Sequence, residues 1–159
     1  FMTGGMRKSP QLNVNPPDPY PIYGFHGAPY DMFFRYVKDL TLRNVQLVWN
    51  DPEQADWGAS LRCWSVQNLE LDGFVGRQSL PSTEPAVWLK DVERAFVHGS
   101  RAPEGTGTFL LFDKGTKDVT LLNNDFSRAA QAYSIAPGVQ PTVFEASNRP
   151  PESSPSEDG

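Results

Sequence analysis

Cysteine is almost missing from this chain: Cys63 stands alone among 159 residues, which excludes an internal disulfide framework. Histidine is nearly as scarce, with only His26 and His98, and no Cys/His spacing marks a structural zinc site. No metal ligand and no cofactor is therefore expected. No apolar run exceeds a few residues, so no helical membrane span is expected. Basic residues are outnumbered, 14 Lys and Arg against 19 Asp and Glu, for a net charge of −5. A duplex nucleic acid calls for a strongly basic face, so it is not an expected partner. Neither an initiator Met nor a signal-peptide pattern is expected from the chain's first residues. The chain opens Phe-Met-Thr-Gly-Gly, and the expectation is the end of a longer protein.

Apolar material is plentiful. Residues of that kind make up 38% of the chain, with ten Phe, five Tyr and four Trp, which is too much for disorder throughout and enough for one core. Proline is abundant but uneven: of 15, six precede residue 30 and five follow residue 136. Proline fixes φ and removes a donor, so the ends should be irregular and the middle regular. This divides the chain into a Pro-rich lead-in over 1–29, a regular body over 30–136, a cap over 137–147 and a disordered tail over 148–159.

The body repeats. Val37-Lys-Asp-Leu40-Thr-Leu42-Arg-Asn-Val45 is echoed by Val66-Gln-Asn-Leu69-Glu-Leu71-Asp-Gly-Phe74. It returns as Val92-Glu-Arg-Ala95-Phe-Val97-His-Gly-Ser100 and as Thr116-Lys-Asp-Val119-Thr-Leu121-Leu-Asn-Asn124. The steps are 29, 26 and 24 residues (40 to 69, 69 to 95, 95 to 119). A second alternating piece precedes each: Met32-Phe-Phe34, Leu61-Arg-Cys63, Val87-Trp-Leu89 and Phe109-Leu-Leu111. A third strand is expected over Val45-Gln-Leu47-Val-Trp49. Period-2 runs this short are strands. One corner reads Asn44, Gly73, Gly99, Asn123, the two residue types that most readily take φ > 0. Another reads Asp39, Asn68, Arg94, Asp118, mostly short polar residues that bond local backbone.

Short strands, sharp corners and this period describe an all-β fold, a right-handed parallel β-helix of about four coils. An antiparallel sandwich would account for the alternation but not for the recurring corners. Inward columns are then Met32/Leu61/Val87/Phe109, Phe34/Cys63/Leu89/Leu111, Leu40/Leu69/Ala95/Val119 and Leu42/Leu71/Val97/Leu121. Cys63 is accordingly a small core residue, not a nucleophile.

Tyr20-Pro-Ile-Tyr-Gly-Phe-His-Gly-Ala-Pro-Tyr30, with Phe34-Arg-Tyr-Val-Lys-Asp-Leu-Thr-Leu-Arg-Asn-Val45, resembles the late coils of glycoside hydrolase family 28, the polygalacturonase-like β-helices. Gly107-Thr-Phe-Leu-Leu111 and Leu121-Leu-Asn-Asn-Asp-Phe-Ser-Arg128 are similar to the closing coils of that group, and Gly4-Gly5 to the end of a preceding coil. The resemblance implies inverting hydrolysis of galacturonan-type polysaccharide by paired carboxylates. It also implies secretion or a periplasmic location, a polysaccharide partner reached through the parent protein, and upstream coils of that same parent to stack on. The family's Asn-Thr-Asp, Asp-Asp, Gly-His-Gly and Arg-Ile-Lys motifs do not occur here, and Phe25-His26-Gly27 and Val97-His98-Gly99 lack the leading Gly. No catalytic residue is assigned, and the catalytic coils are expected upstream. The expectation is the non-catalytic C-terminal coils of such a hydrolase, inactive alone. The alternative is a non-catalytic β-helix for carbohydrate binding or adhesion. A lyase-type β-helix would want Ca²⁺-binding acidic clusters, and no dense one is present.

Asp51, Asp56, Asp72, Asp91, Asp113, Asp118 and Asp125 are scattered and suit corners and solvent. His98 shares a column with Arg43, Asp72 and Leu122, as a tolerant exposed turn position would. One outward column is unusual: Phe33, Arg62, Trp88 and Leu110 put three large apolar groups and a guanidinium on one face. Such a face is covered by chain, docked on a partner, or a platform for sugar rings and anionic sugars. Phe33, Arg62 and Trp88 are the candidate carbohydrate-binding residues, with Tyr20, Ile22, Tyr23 and Phe25 as a possible cover.

Overall fold

In the computed structural model, residues 2–4, 32–49, 53 and 57–152 are described. All regular structure there is β, and every strand pairing is parallel. The strands are β1 (Met2–Gly4), β2 (Met32–Arg43), β3 (Leu47–Trp49), β4 (Leu61–Asp72) and β5 (Val87–His98). They are followed by β6 (Thr106–Phe112), β7 (Val119–Leu122), β8 (Ala129–Ile135) and β9 (Val143–Ala146). The chain winds as a β-solenoid of about four turns. The expected all-β parallel solenoid is the fold; apart from β1, the lead-in, with its proposed cover and His26, lies outside the described residues, as does the tail from 153.

Each 12-residue strand is two straight arms joined by a bend. The bend is made by two left-handed residues three apart: Tyr36 and Asp39 in β2, Ser65 and Asn68 in β4, Asp91 and Arg94 in β5, with φ between 52° and 58°. Gly115 (φ 86°) and Asp118 (φ 40°) repeat the bend between β6 and β7. Between the two bends an inward Val is clamped, and Val37, Val66 and Val92 stack in register. Non-Gly residues persist at φ > 0 because stacking fixes them on both sides, and side chains bridge the coils there: Asn68 donates to Asp39, and Ser65 to Asp91 at 2.8 Å. The third corner is at Asn44 (52°), Gly73 (69°), Gly99 (58°), Asn123 (53°) and Ser147 (56°).

Alternation directs one face of each arm inward. Leu40, Leu69, Ala95, Val119 and Val143 form one column, and Leu42, Leu71, Val97 and Leu121 another. In the middle coils these side chains are sealed from solvent, as is Cys63, whose thiol pKa burial pushes up. Each buried Leu or Phe contributes ~1.5–3 kcal/mol. The last column ends on Glu145, opposite Leu121, and the nearby Glu145 carboxylate, with burial, pushes the Tyr133 hydroxyl pKa up. A polar side chain in a core column closes this end of the stack.

Two expectations change, the register of β6 and the assignment of 148–152. Phe109 and Leu111 were expected inward and Leu110 outward; instead Val87 faces Leu110, Trp88 faces Leu111 and Leu89 faces Phe112. Phe109 is buried too, packed between Phe74 and Phe126 at ring distances of 6.3 and 5.3 Å, so the arm begins one residue later. A one-residue slip exchanges the two faces of a strand. The segment 137–147 contains β9, stacked on β7. Residues 148–152, assigned to a disordered tail, belong to the coil. Asn148 hydrogen-bonds Asn124 and Leu121, Arg149 bridges to Asp125, and the Glu152 amide reaches Ser127.

Candidate functional site

Phe33, Arg62, Trp88 and, after the register shift, Leu111 line up on the outer face of the first arm. Two residues along, Arg35, Trp64 and Lys90 form a parallel outward row. Because stacking is in register, aromatic rings and cations from adjacent coils meet. The Arg62 guanidinium lies 4.6 Å over the Trp88 ring and Lys90 Nζ 4.7 Å over Trp64, while within β2 Arg35 lies 4.7 Å over the ring of its chain neighbour Tyr36. Phe33 sets its edge on Trp64 at 5.1 Å. Trp88 Nε1 donates to Asp113 at 2.9 Å.

The structure brings the three candidates together but does not leave them equally open. Arg62 is only 8% exposed and donates to Glu84 at 2.6 Å. Glu84 Oε2 also accepts the Ala59 amide, so the 77–86 loop covers this end of the column. That loop is tied down by Arg77, which donates twice to Glu53, while the Leu80 amide donates to the same carboxylate. Burial raises the Glu53 pKa, but these donors and the guanidinium charge outweigh it and hold the pKa below its ordinary value. Phe33 and Trp88 are half-buried, as are Trp64 and Lys90. Among the described residues no carboxylate hydrogen-bonds Lys90. Beside the covered Arg62 this face carries half-buried Trp64, Trp88 and Lys90, with Phe33 packed against Trp64; the alternation that marks Phe33 and Trp88 as outward marks Trp64 and Lys90 as well, two residues along.

A second group sits outside the second arm. Glu70 and Asp72 alternate on one face of β4, and His98 of β5 is the register partner of Asp72. His98 Nε2 is 3.0 Å from Glu70 Oε1 and Nδ1 is 3.6 Å from Asp72 Oδ1. The His98 hydrogen bond is the main reason the Glu70 carboxyl is held below its ordinary pKa. His98 is thus half-buried in a side-chain network at a strand end, where an exposed turn position was expected. The repeat alignment already held this signal, since the 26-residue step sets His98 beside Asp72.

A third arm follows the Asn/Gly corner, where Gln46, Val75, Arg101, Asp125 and Arg149 bridge in register from coil to coil, and a groove of about 540 Å³ there is lined by Arg101, Asp125, Ser127, Arg128, Arg149 and Glu152. Arg149 is committed to Glu152 at 2.6 Å and lies 3.9 Å from Asp125. Asp125 is kept ionised mainly by Ser127, through its hydroxyl and amide.

Comparison with protein families, curated proteins and solved structures finds no match. The class that the coordinates define is the parallel β-solenoid.

Proposed function

We propose that the chain is a non-catalytic set of β-helix coils that binds an acidic polysaccharide on the outer face of its first arm, within a protein of the polygalacturonase-like kind. The carrying observation is the Trp64–Lys90 pair, with Phe33 and Trp88 beside it: aromatic faces suited to sugar rings, next to a cation without a carboxylate partner among the described residues. The missing Asp-Asp, Asn-Thr-Asp and Arg-Ile-Lys motifs support a role without bond cleavage, and the quoted coil motifs support the polysaccharide class.

The test separates binding from catalysis. The chain should be retarded in gels containing polygalacturonate and should release no reducing sugar from it. Retardation should weaken as salt rises, because the cation supplies part of the attraction. Turnover abolished by replacing Asp72 or Asp125 would replace this reading with an enzyme, and equal retardation by a neutral glucan would remove the acidic-sugar part. A β-helix adhesion module with no hydrolase parent uses the same face and differs only in lacking catalytic Asp motifs in neighbouring coils.

A further inference from the structure

We propose that Glu70, Asp72 and His98 form a site for one divalent transition-metal ion of the zinc class. One ligand atom from each residue lies within 4.8 Å of the others. The convergence is built by the backbone: the period of two puts both carboxylates on one face of β4, and parallel register sets the imidazole beside them. Side chains outside the trio orient it. Thr41 Oγ1 donates to Glu70 Oε2 at 3.2 Å, and Arg43 Nε donates to Asp72 Oδ2 at 2.8 Å. Each carboxylate thus has one oxygen held from behind and the other turned toward the imidazole, but Oε1 faces Nε2 and Oδ1 faces Nδ1, so an ion on Nε2 takes Glu70 as it stands and Asp72 by rotation of its carboxylate. Phe96 stacks on the His98 ring at 4.3 Å and 26°, fixing its plane.

Metal–nitrogen and metal–oxygen bonds of ~2.0–2.2 Å bring two ligand atoms to roughly 2.9–3.5 Å of each other. The 3.0 Å between His98 Nε2 and Glu70 Oε1 already meets that, so an ion can replace the proton those atoms share. One imidazole with two carboxylates suits Zn²⁺, Co²⁺ or Ni²⁺ better than Ca²⁺ or Mg²⁺, which take all-oxygen shells. The side chains keep 25%, 33% and 29% of their surface for His98, Glu70 and Asp72, so further coordination positions face solvent. Three protein ligands with open positions is the pattern of a site that can bind an outside ligand, not of a closed structural one. The Arg43 charge beside Asp72 opposes the ion and keeps affinity below that of a dedicated zinc fold.

The full chain should be titrated with Zn²⁺ by calorimetry and with Co²⁺ by visible absorption. One ion per chain is expected. His98→Ala and Glu70→Gln should each weaken binding by at least the ~10–100-fold that loss of an outer-shell partner costs. His26→Ala, the other histidine, should leave the affinity unchanged. In the unaltered chain, Co²⁺ should shift and broaden the His98 ring resonances before those of His26, which keeps the test decisive if a variant fails to fold. Absence of saturable binding, affinity indifferent to His98→Ala, or first broadening at His26 would each overturn the site and leave the trio a hydrogen-bonded network only.

Discussion

At Gly73, a Cβ would stand 2.8 Å from Asn44 Oδ1, in a left-handed backbone at φ 69°; at Gly99, φ is 58° but the nearest atom would be 3.9 Å away. The two corners should therefore respond differently. Gly73→Val should cost ~1–3 kcal/mol in urea unfolding, from backbone strain plus the clash. Gly99→Asn should be nearly neutral, since Asn already fills this corner at 44 and 123. A second residue-scale expectation concerns Glu53. Its folded pKa is depressed, so its contribution is present above the unfolded value and is lost as pH falls through the folded one. The urea midpoint should drop below about pH 4, the ordinary carboxylate range, and Glu53→Gln should flatten that part of the profile. The Asn/Gly corner was readable because only those residue types take φ > 0 cheaply. The Asp39, Asn68, Arg94 and Asp118 corner was readable too, and all four take φ > 0; the other half of that bend, at Tyr36 and Ser65, was not, because those left-handed residues are held by neighbouring coils rather than by their own preference.

At the scale of elements, the columns in the first two arms of β2, β4 and β5 could be read from alternation alone. The β6 register could not: Phe109-Leu110-Leu111-Phe112 is apolar throughout and fits either face, and only packing on Phe74 and Phe126 decides it. A polar ladder beside the Asn/Gly corner also escaped the sequence reading. Asn124, buried, donates to Val97 O at 2.9 Å and accepts the Ser100 amide at 2.9 Å, while Asn148 repeats the pattern one coil on, donating to Leu121 O. Such amides look like ordinary turn residues until stacking places them inside. Asn124→Ala should leave several buried partners unmet and cost ~2–4 kcal/mol, at ~1–3 kcal/mol for each unsatisfied group. Amide exchange should then speed up at Ser100 and Asn124, and less at Leu69 or Leu71, two coils away.

Across the whole molecule, three outward faces carry different chemistry on one core: aromatic and cationic on the first arm, carboxylate and imidazole on the second, arginine-lined on the third. The candidate site was half legible. Phe33, Arg62 and Trp88 do share a face, but that Glu84 takes up Arg62 depends on a loop return no repeat encodes, and the row of Trp64 and Lys90 was left unread. The most direct measurement is an oligogalacturonate titration, followed by Trp fluorescence, of the chain and of two variants on different faces. Lys90→Gln should weaken binding about tenfold, within the range of a charge-assisted hydrogen bond, while Arg128→Gln, on the third-arm groove, should bind as the parent does. Loss of binding in Arg128→Gln with Lys90→Gln unaffected would place the polysaccharide on the third arm and contradict the account.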